Sequence, residues 1–215
     1  YTLTITAPDT SRAKALIVGN NLTLDNVNLT INGSATGMGD AIQIGHDTEP
    51  EVDFIVTNGS DVKFQGLQNG FVMPGGKNAV VQVTASNLTA NDIDGNFSNG
   101  GSYIFTDSTV EINDCDSYAL SVSNLTVDRT QLTITGAQIA AIRTADPEAE
   151  VIVRNNSHVS VTGSGTRLPF TSTYGNASGV IDLGHGSEHA GTQGGIPAAL
   201  TVENSTIDLS GNVDK

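Results

Sequence analysis

The stretch "NLTLDNVNLTING", residues 21–33, decides the fold of this chain. It holds two short segments in which every second residue is apolar, first Leu22 and Leu24, then Leu29 and Ile31. Such alternation is typical of a β-strand with one buried face. The same phrase returns later as "NLTVDRTQLTITG" at 124–136 and "ALTVENSTIDLSG" at 199–211. A recurring strand–corner–strand phrase indicates a repeat architecture.

Seven copies of this phrase can be aligned along the chain, each with two apolar pairs on either side of a polar break. The copies are Leu22/Leu24 with Leu29/Ile31, Phe54/Val56 with Val62/Phe64, Val81/Val83 with Leu88/Ala90, Tyr103/Phe105 with Val110/Ile112, Leu125/Val127 with Leu132/Ile134, Val151/Val153 with Val159/Val161, and Leu200/Val202 with Ile207/Leu209. The step across the break is five residues in five copies and six in the other two. Spacing this constant indicates stacked units of one shape.

A further apolar segment precedes most copies and predicts a third strand in each unit. These segments are "ALIV" at 15, "AIQI" at 41, "GFVM" at 70, "ALSV" at 119, "AAIR" at 140 and "GVIDL" at 179. The copy at 102 has no clear partner, and "NDIDGNFSNGG" at 91–101 stands where one is expected. The pattern predicts an all-β protein, a single-stranded right-handed parallel β-helix of about eight or nine coils with three short strands each. Residues 1–215 are predicted to form one domain, because no linker or composition shift divides them.

The polar break predicts a tight corner between the second and third strands of each coil. Most corner residues are of the types that tolerate a left-handed backbone and bond their own main chain. They are Asn26, Asn58, Asp107, Asn155 and Asn204, with Ala85 and Arg129 at the remaining two corners. We expect the first five to form a partial asparagine ladder along the stack.

This pattern of repeated strands and corners resembles the right-handed β-helices of the pectin-lyase-like superfamily, in which that corner is short and often carries Asn. The resemblance covers nearly the whole chain. Surface proteins and autotransporter passengers of this superfamily are similar in being rich in Asn, Thr, Ser and Gly and poor in Cys. The resemblance implies a fragment of a larger bacterial protein, secreted or displayed at the cell surface. It also implies a non-catalytic adhesin-like or stalk module whose partners are glycans or host proteins.

Composition excludes several other classes of function. The formal net charge is −14 with only nine Lys and Arg residues, so the basic footprint needed for nucleic acid is missing. The sequence has no apolar run of 18 residues, which argues against membrane insertion. Cys115 is the only cysteine, so no intramolecular disulfide is possible, and its expected role is that of a small buried hydrophobe. We expect a monomer.

Candidate ligand-binding residues come from the resemblance, which implies that a polysaccharide would lie across the first-strand sheet. The outward row of that sheet is predicted to hold Ile17, Gln43, Val72, Ser121, Arg143 and Asp182. Arg143 and Asp182 fall on adjacent coils, where they could bind a glycan or simply pair with each other. The loop "GHGSEH" at 184–189 adds His185, Glu188 and His189, which could bind a ligand or a transition metal or be solvated.

No catalytic residues are predicted. The "GHG" at 184–186 resembles a polygalacturonase motif, but the paired aspartates of its "NTD" and "DD" segments are missing, so inverting hydrolysis has no acid and base. A polysaccharide-binding or polysaccharide-degrading protein acting on acidic glycans remains the alternative function. No cofactor or metal is expected, although calcium stays open at residues 91–96 and beside Asp114 and Asp116.

Overall fold

A computed structural model gives the fold of the chain. It describes residues 1–34, 37, 39–45, 52–73, 79–144, 146, 148–165, 180–183 and 198–212. All regular secondary structure in these residues is β-strand. Among them, no helix is long and apolar enough to cross a membrane.

The described residues form 22 strands. In chain order they are β1 (Thr2–Thr6), β2 (Lys14–Val18), β3 (Leu22–Asp25), β4 (Asn28–Asn32), β5 (Asp40–Ile44), β6 (Val52–Thr57), β7 (Asp61–Leu67), β8 (Asn69–Val72), β9 (Ala79–Thr84), β10 (Asn87–Ile93), β11 (Ser98–Asn99), β12 (Ser102–Thr106), β13 (Thr109–Cys115), β14 (Tyr118–Val122), β15 (Asn124–Asp128), β16 (Gln131–Thr135), β17 (Ala140–Thr144), β18 (Ala149–Arg154), β19 (His158–Thr162), β20 (Ile181–Asp182), β21 (Ala198–Glu203) and β22 (Thr206–Asp208).

The strands build three parallel sheets that wrap around one core, which makes the fold a parallel β-solenoid. The first-strand sheet runs β2-β5-β8-β11-β14-β17-β20, and the second-strand sheet runs β3-β6-β9-β12-β15-β18-β21. The third-strand sheet runs β1-β4-β7-β10-β13-β16-β19-β22. The predicted fold class is confirmed, although the number of coils is slightly lower than the eight or nine expected.

Alternate residues of the strands point into the core, as the period-two pattern predicts. In β6, for example, Val52, Phe54 and Val56 are buried, while Asp53, Ile55 and Thr57 are partly exposed. Each inward residue packs over the inward residue of the next coil, so that Leu125 lies in register with Tyr103 and with Val151. The result is a set of aliphatic and aromatic rows that run along the solenoid.

Aromatic residues are concentrated in the middle coils. Of the aromatic residues that the structure describes, six are fully buried, namely Phe54, Phe64, Phe71, Phe97, Tyr103 and Phe105. Their rings contact one another at centroid distances of 5.2 to 6.1 Å, mostly edge to face. Such pairs add to the stabilisation that burial of the rings provides.

The coil that contains Tyr103 has no predicted first strand, but the structure shows one. Ser98 and Asn99 form β11, which pairs with Phe71 and Val72 on one side and with Leu120 and Ser121 on the other. Only two residues keep strand geometry there, which explains why no alternating pattern was visible. Phe97, just before this strand, is fully buried and fills the core at that level.

All seven corner residues between the second and third strands have positive φ, between 47° and 59°. The left-handed conformation is uncommon for non-glycine residues, and Asn and Asp adopt it at least cost. Ala85 and Arg129 adopt it too, with φ of 48° each. The position in the coil therefore dictates the backbone angle, whatever residue occupies it.

Candidate functional site

The outward row of the first-strand sheet has the register predicted from the sequence. Strand pairing places Ile17 beside Gln43, Gln43 beside Val72, Ser121 beside Arg143, and Arg143 beside Asp182. Asn99 fills the place between Val72 and Ser121 that the sequence left blank. One polar stretch of this row therefore runs over four successive coils, from Asn99 to Asp182.

Arg143 is the centre of this polar stretch. Its guanidinium carbon lies 4.7 Å from the centroid of the Tyr118 ring, which belongs to the preceding coil. A guanidinium over an aromatic face is held by the ring's negative potential. The Arg143 Nε is buried, and no hydrogen-bond partner is found for it among the described residues. We name Arg143, Tyr118, Ser121 and Asp182 the arginine patch.

Tyr118 was not predicted as a site residue, although it is unusual among the aromatic residues. Of those in the described strands, it is the one that is not fully buried. Its backbone N–H donates to the Asn96 side-chain oxygen at 3.2 Å. The sequence contained a signal for this. Tyr118 stands one place before the inward-facing residue of its strand, whereas the other aromatic residues in the described strands occupy core positions.

A ladder of side chains leads to Tyr118 along the corner before the first-strand sheet. Lys14 bonds the carboxylate of Asp40, and the Asn69 amide donates to the same carboxylate at 2.7 Å. The Asn69 oxygen accepts the N–H of Asn96 at 3.0 Å, and Asn96 in turn accepts from Tyr118. This amide ladder spans five coils and fixes the backbone that carries the Tyr118 ring.

The predicted corner ladder residues make a different set of bonds. The Asn58 amide donates to Asp25 of the preceding coil at 2.9 Å, and the Asn155 amide donates to Asp128 at 3.1 and 3.2 Å. In both cases the acceptor is the acidic residue just before the preceding corner. The side-chain bonds of these two asparagines therefore join an amide to a carboxylate rather than one amide to another.

Hydroxyl groups form the continuous ladder at that corner. The ladder residues are Ser60, Ser86, Ser108, Thr130, Ser157 and Ser205, and we name them the hydroxyl ladder. Each hydroxyl oxygen accepts the N–H of the matching residue one coil earlier, beginning with Val27. The hydroxyls also lie within bonding distance of carbonyls, such as Ser108 Oγ at 3.1 Å from the Val83 oxygen. The signal was a Ser or Thr just before the third strand in six of seven copies.

A cluster of two arginines and two aspartates lies on the second-strand side of the same corner. Asp128 is buried and accepts from Arg129 at 2.6 Å, from Arg154 at 2.7 Å and from the Asn155 amide. Burial acts to raise the pKa of Asp128, but the bonds from Asn155 and Arg154 and the charge of Arg129 outweigh it and lower that pKa. Arg129 also donates one hydrogen bond to each carboxylate oxygen of Asp107, and these bonds lower the pKa of Asp107. The four charged side chains bond one another across three coils, so we assign them a structural role.

The acidic segments considered for calcium make other bonds. Asp92 accepts from the Gln65 amide, and Asp116 accepts from the Gln138 amide at 2.6 Å. In the part of the chain that the structure describes, no group of three or more His, Cys, Asp or Glu side chains is placed to hold a metal ion. Cys115 is buried, and burial raises the pKa of its thiol to about 12, which keeps it from acting as a nucleophile at neutral pH.

His185, Glu188 and His189 lie outside the described residues, so their relation to Arg143 stays a prediction. Arg143 and Asp182 are brought onto neighbouring strands, as predicted. The arginine patch offers one cation, one aromatic ring, one hydroxyl and one carboxylate, which can bind a polar ligand. Comparisons with protein-family models, curated proteins and solved structures find no match to this chain.

Proposed function

We propose that this chain is a non-catalytic module of a secreted or surface-displayed bacterial protein, adhesin-like or stalk-like, that binds glycans or host proteins. The observation that carries the proposal is the arginine patch: a guanidinium held on an aromatic ring in a regular sheet face. A guanidinium that is already held in place loses little conformational entropy on binding. It can donate two hydrogen bonds to one carboxylate or to a pair of vicinal hydroxyls.

The architecture supports a role in presenting a binding face to a partner. Eight strands of the third-strand sheet at a spacing of about 4.8 Å give a rod of roughly 34 Å. The core rows and the hydroxyl ladder run through successive coils, so the faces are rigid and keep their residues in fixed positions. A net charge of −14 favours solubility and disfavours acidic partners away from the patch.

The alternative is a polysaccharide-binding or polysaccharide-degrading protein that acts on acidic glycans. Arg143 favours it, because a cation would bind a uronate carboxylate and could stabilise negative charge that develops next to it. Asp182 on the neighbouring strand would be the nearest described carboxylate in the row. The resemblance to polysaccharide enzymes implies the same face, with His185, Glu188 and His189 as further candidate ligand-binding residues.

Binding measurements on an array of neutral and acidic glycans, and on host extracellular matrix proteins, test the proposal. Arg143→Gln and Tyr118→Ala should weaken binding about tenfold or more, because a charge-assisted contact is lost. Lys63→Gln is the matched control, since Lys63 is an exposed cation on the third-strand sheet. Equal binding by all three variants would place the site elsewhere.

Catalysis separates the two functions. Acidic and neutral polysaccharides incubated with the protein should release neither reducing ends nor unsaturated products above the level of a heat-inactivated sample. Robust turnover that Arg143→Gln abolishes and Lys63→Gln retains would overturn the non-catalytic proposal in favour of the alternative.

A further inference from the structure

Three side chains of complementary reactivity meet at the corner before the first-strand sheet. Lys14, Asp40 and Asn69 occupy the same position in three successive coils, as the strand pairing shows. The Lys14 side-chain nitrogen bonds one carboxylate oxygen of Asp40, and the Asn69 amide nitrogen donates to the other at 2.7 Å. A primary amine and a carboxamide are therefore held on one carboxylate. We name these three residues the lysine–asparagine site.

The charged pair of this site is shielded from water. The Asp40 side chain is 1% exposed and the Lys14 side chain 14%. The Lys14 nitrogen also donates to the Arg12 carbonyl oxygen at 2.6 Å, so two acceptors fix its position. Charges are costly where water is excluded, so passing one proton from the ammonium to the carboxylate costs less here than at the surface. The transfer leaves a neutral amine, which is the nucleophilic form of lysine.

The Asn69 side chain is held as an electrophile. Its carbonyl oxygen accepts the backbone N–H of Asn96 at 3.0 Å. A donor at this oxygen stabilises the negative charge that develops there when a nucleophile attacks the carbonyl carbon. Gly95 leaves the room in which the amide lies, because a Cβ at that position would be 2.6 Å from the Asn69 oxygen. The carbonyl oxygen thus has a donor, and the amide nitrogen has a proton carrier in Asp40.

The two reacting side chains are long enough to be joined. Lys14 and Asn69 are two coils apart, and a strand spacing of about 4.8 Å puts about 9.6 Å between their α-carbons. An extended lysine side chain, an asparagine side chain and one new C–N bond together span roughly 10 Å. A covalent bond between the two therefore fits the spacing of the coils as it stands.

We propose that Lys14 and Asn69 form an intramolecular isopeptide bond, with Asp40 as the proton carrier. Asp40 first takes one proton from the Lys14 ammonium. The neutral Nζ then attacks Cγ of Asn69, and a C–N bond forms as one electron pair of the carbonyl moves onto its oxygen. Asp40 gives its proton to the amide nitrogen and takes one from the attacking nitrogen. The carbonyl re-forms, the old C–N bond breaks and ammonia leaves. The reaction changes no oxidation state and needs no further reactant.

The bond would join the coil of β2 to the coil of β8, past the coil of β5. In a solenoid each coil contacts only its neighbours, so a link that skips one coil adds a constraint that packing does not supply. Like a disulfide, it would limit the conformations of the unfolded chain. None of the three residues belongs to the arginine patch, so the bond and the ligand site can be tested separately.

The intact mass of the folded 215-residue chain tests the proposal. We expect the mass of the sequence less that of one ammonia. Lys14→Gln removes the nucleophile, Asn69→Ala the electrophile and Asp40→Asn the proton carrier, and each should abolish the loss. Lys63→Gln is the matched control, because Lys63 also pairs with an aspartate, Asp61, but is exposed. It should keep the full loss. Circular dichroism checks that each variant is folded.

Tryptic mapping of the wild-type chain separates this bond from a competing reaction. Asn69 precedes Gly70, and an Asn–Gly pair can also lose ammonia by closing on its own backbone to a succinimide. The isopeptide bond blocks cleavage after Lys14 and joins peptide 13–63 to peptide 64–77, whereas the succinimide leaves Lys14 cleavable.

We expect the joined peptides from the wild-type chain and from none of the three site variants. The proposal is overturned if the folded wild-type chain has the full mass of its sequence, or if the loss of ammonia persists in Lys14→Gln. It is also overturned if the chain loses water instead, with the link mapping to Lys14 and Asp40.

Discussion

Leu125 and Leu200 occupy the same row of the second-strand sheet, two coils apart, and their environments differ sharply. Leu125 is completely buried between Tyr103 and Val151, whereas Leu200, on the last described strand of that sheet, is 42% exposed. The residue type and the backbone position are the same. The comparison shows that burial in this fold comes from the neighbouring coils rather than from the coil itself, as expected for a quasi-one-dimensional protein.

The largest expected effect is the difference between truncating these two leucines. Leu125→Ala opens a cavity in a closed row and should lower the free energy of unfolding by about 2 to 5 kcal/mol. Leu200→Ala should cost about 1 kcal/mol or less, since nearly half of the side chain is already in water. Urea unfolding at low protein concentration measures both. Equal losses would mean that the end coil is covered in solution.

The hydroxyl ladder permits the same comparison for hydrogen bonds. Ser108→Ala removes the acceptor of the buried Ser86 N–H and should destabilise by about 1 to 3 kcal/mol, because that donor is left unsatisfied. Ser205→Ala removes the acceptor of the Ser157 N–H near an exposed edge, where water can replace it. We expect a loss of about 0.5 kcal/mol or less there. Hydrogen exchange at Ser86 and Ser157 would report the two sites separately.

Asp128 and Asp208 extend the comparison to charge. The pKa of Asp128 is lowered by Asn155, Arg154 and Arg129 against the effect of burial, and that of exposed Asp208 is lowered mainly by hydrogen bonds from Ser210. A folded pKa below the unfolded value of about 3.9 gives stability that is present above that pH. This stability is lost as the pH falls through the folded pKa.

Asp128→Asn should therefore reduce the loss of stability that acidification causes below about pH 4. Asp208→Asn should change it less, because the Asp208 carboxylate is exposed and lies at the end coil. Urea unfolding from pH 7 to pH 2 measures both variants against the wild-type chain. A wild-type pH dependence that Asp128→Asn leaves unchanged would show that other carboxylates control acid stability.

The fold was predictable because its main determinant is local and repeated. Alternation of apolar residues and a constant step across the corner are visible in the sequence, and the outward row from Ile17 to Asp182 follows from that register alone. The two-residue strand β11 was not predictable, since Ser98 and Asn99 show no alternation and owe their geometry to the coils on both sides.

The candidate site was only half predictable for a related reason. Arg143 and Asp182 could be placed on neighbouring strands by counting residues. The contact of Arg143 with Tyr118 depends on a side-chain direction across two coils, which counting does not give. The hydroxyl ladder was present in the sequence, but Ser and Thr are common at corners, and only the bond pattern distinguishes a ladder from ordinary turn composition.

The smallest expected effect concerns Val27, where the hydroxyl ladder begins. Its N–H donates to Ser60 at 3.0 Å, but Val27 has no hydroxyl to accept a bond in turn. Strand pairing places Tyr1 in the matching position one coil earlier, and the Tyr1 nitrogen lies 3.4 Å from the Asn26 oxygen. Val27→Thr keeps the shape of the side chain and supplies a hydroxyl acceptor for that nitrogen. The free energy of unfolding should rise by about 0.5 kcal/mol or less, because Tyr1 is fully exposed and water competes for the same bond. Urea unfolding of Val27→Thr and of the wild-type chain measures the difference. A rise of about 1 kcal/mol or more would show that a hydroxyl of the ladder stabilises an exposed position as much as a buried one.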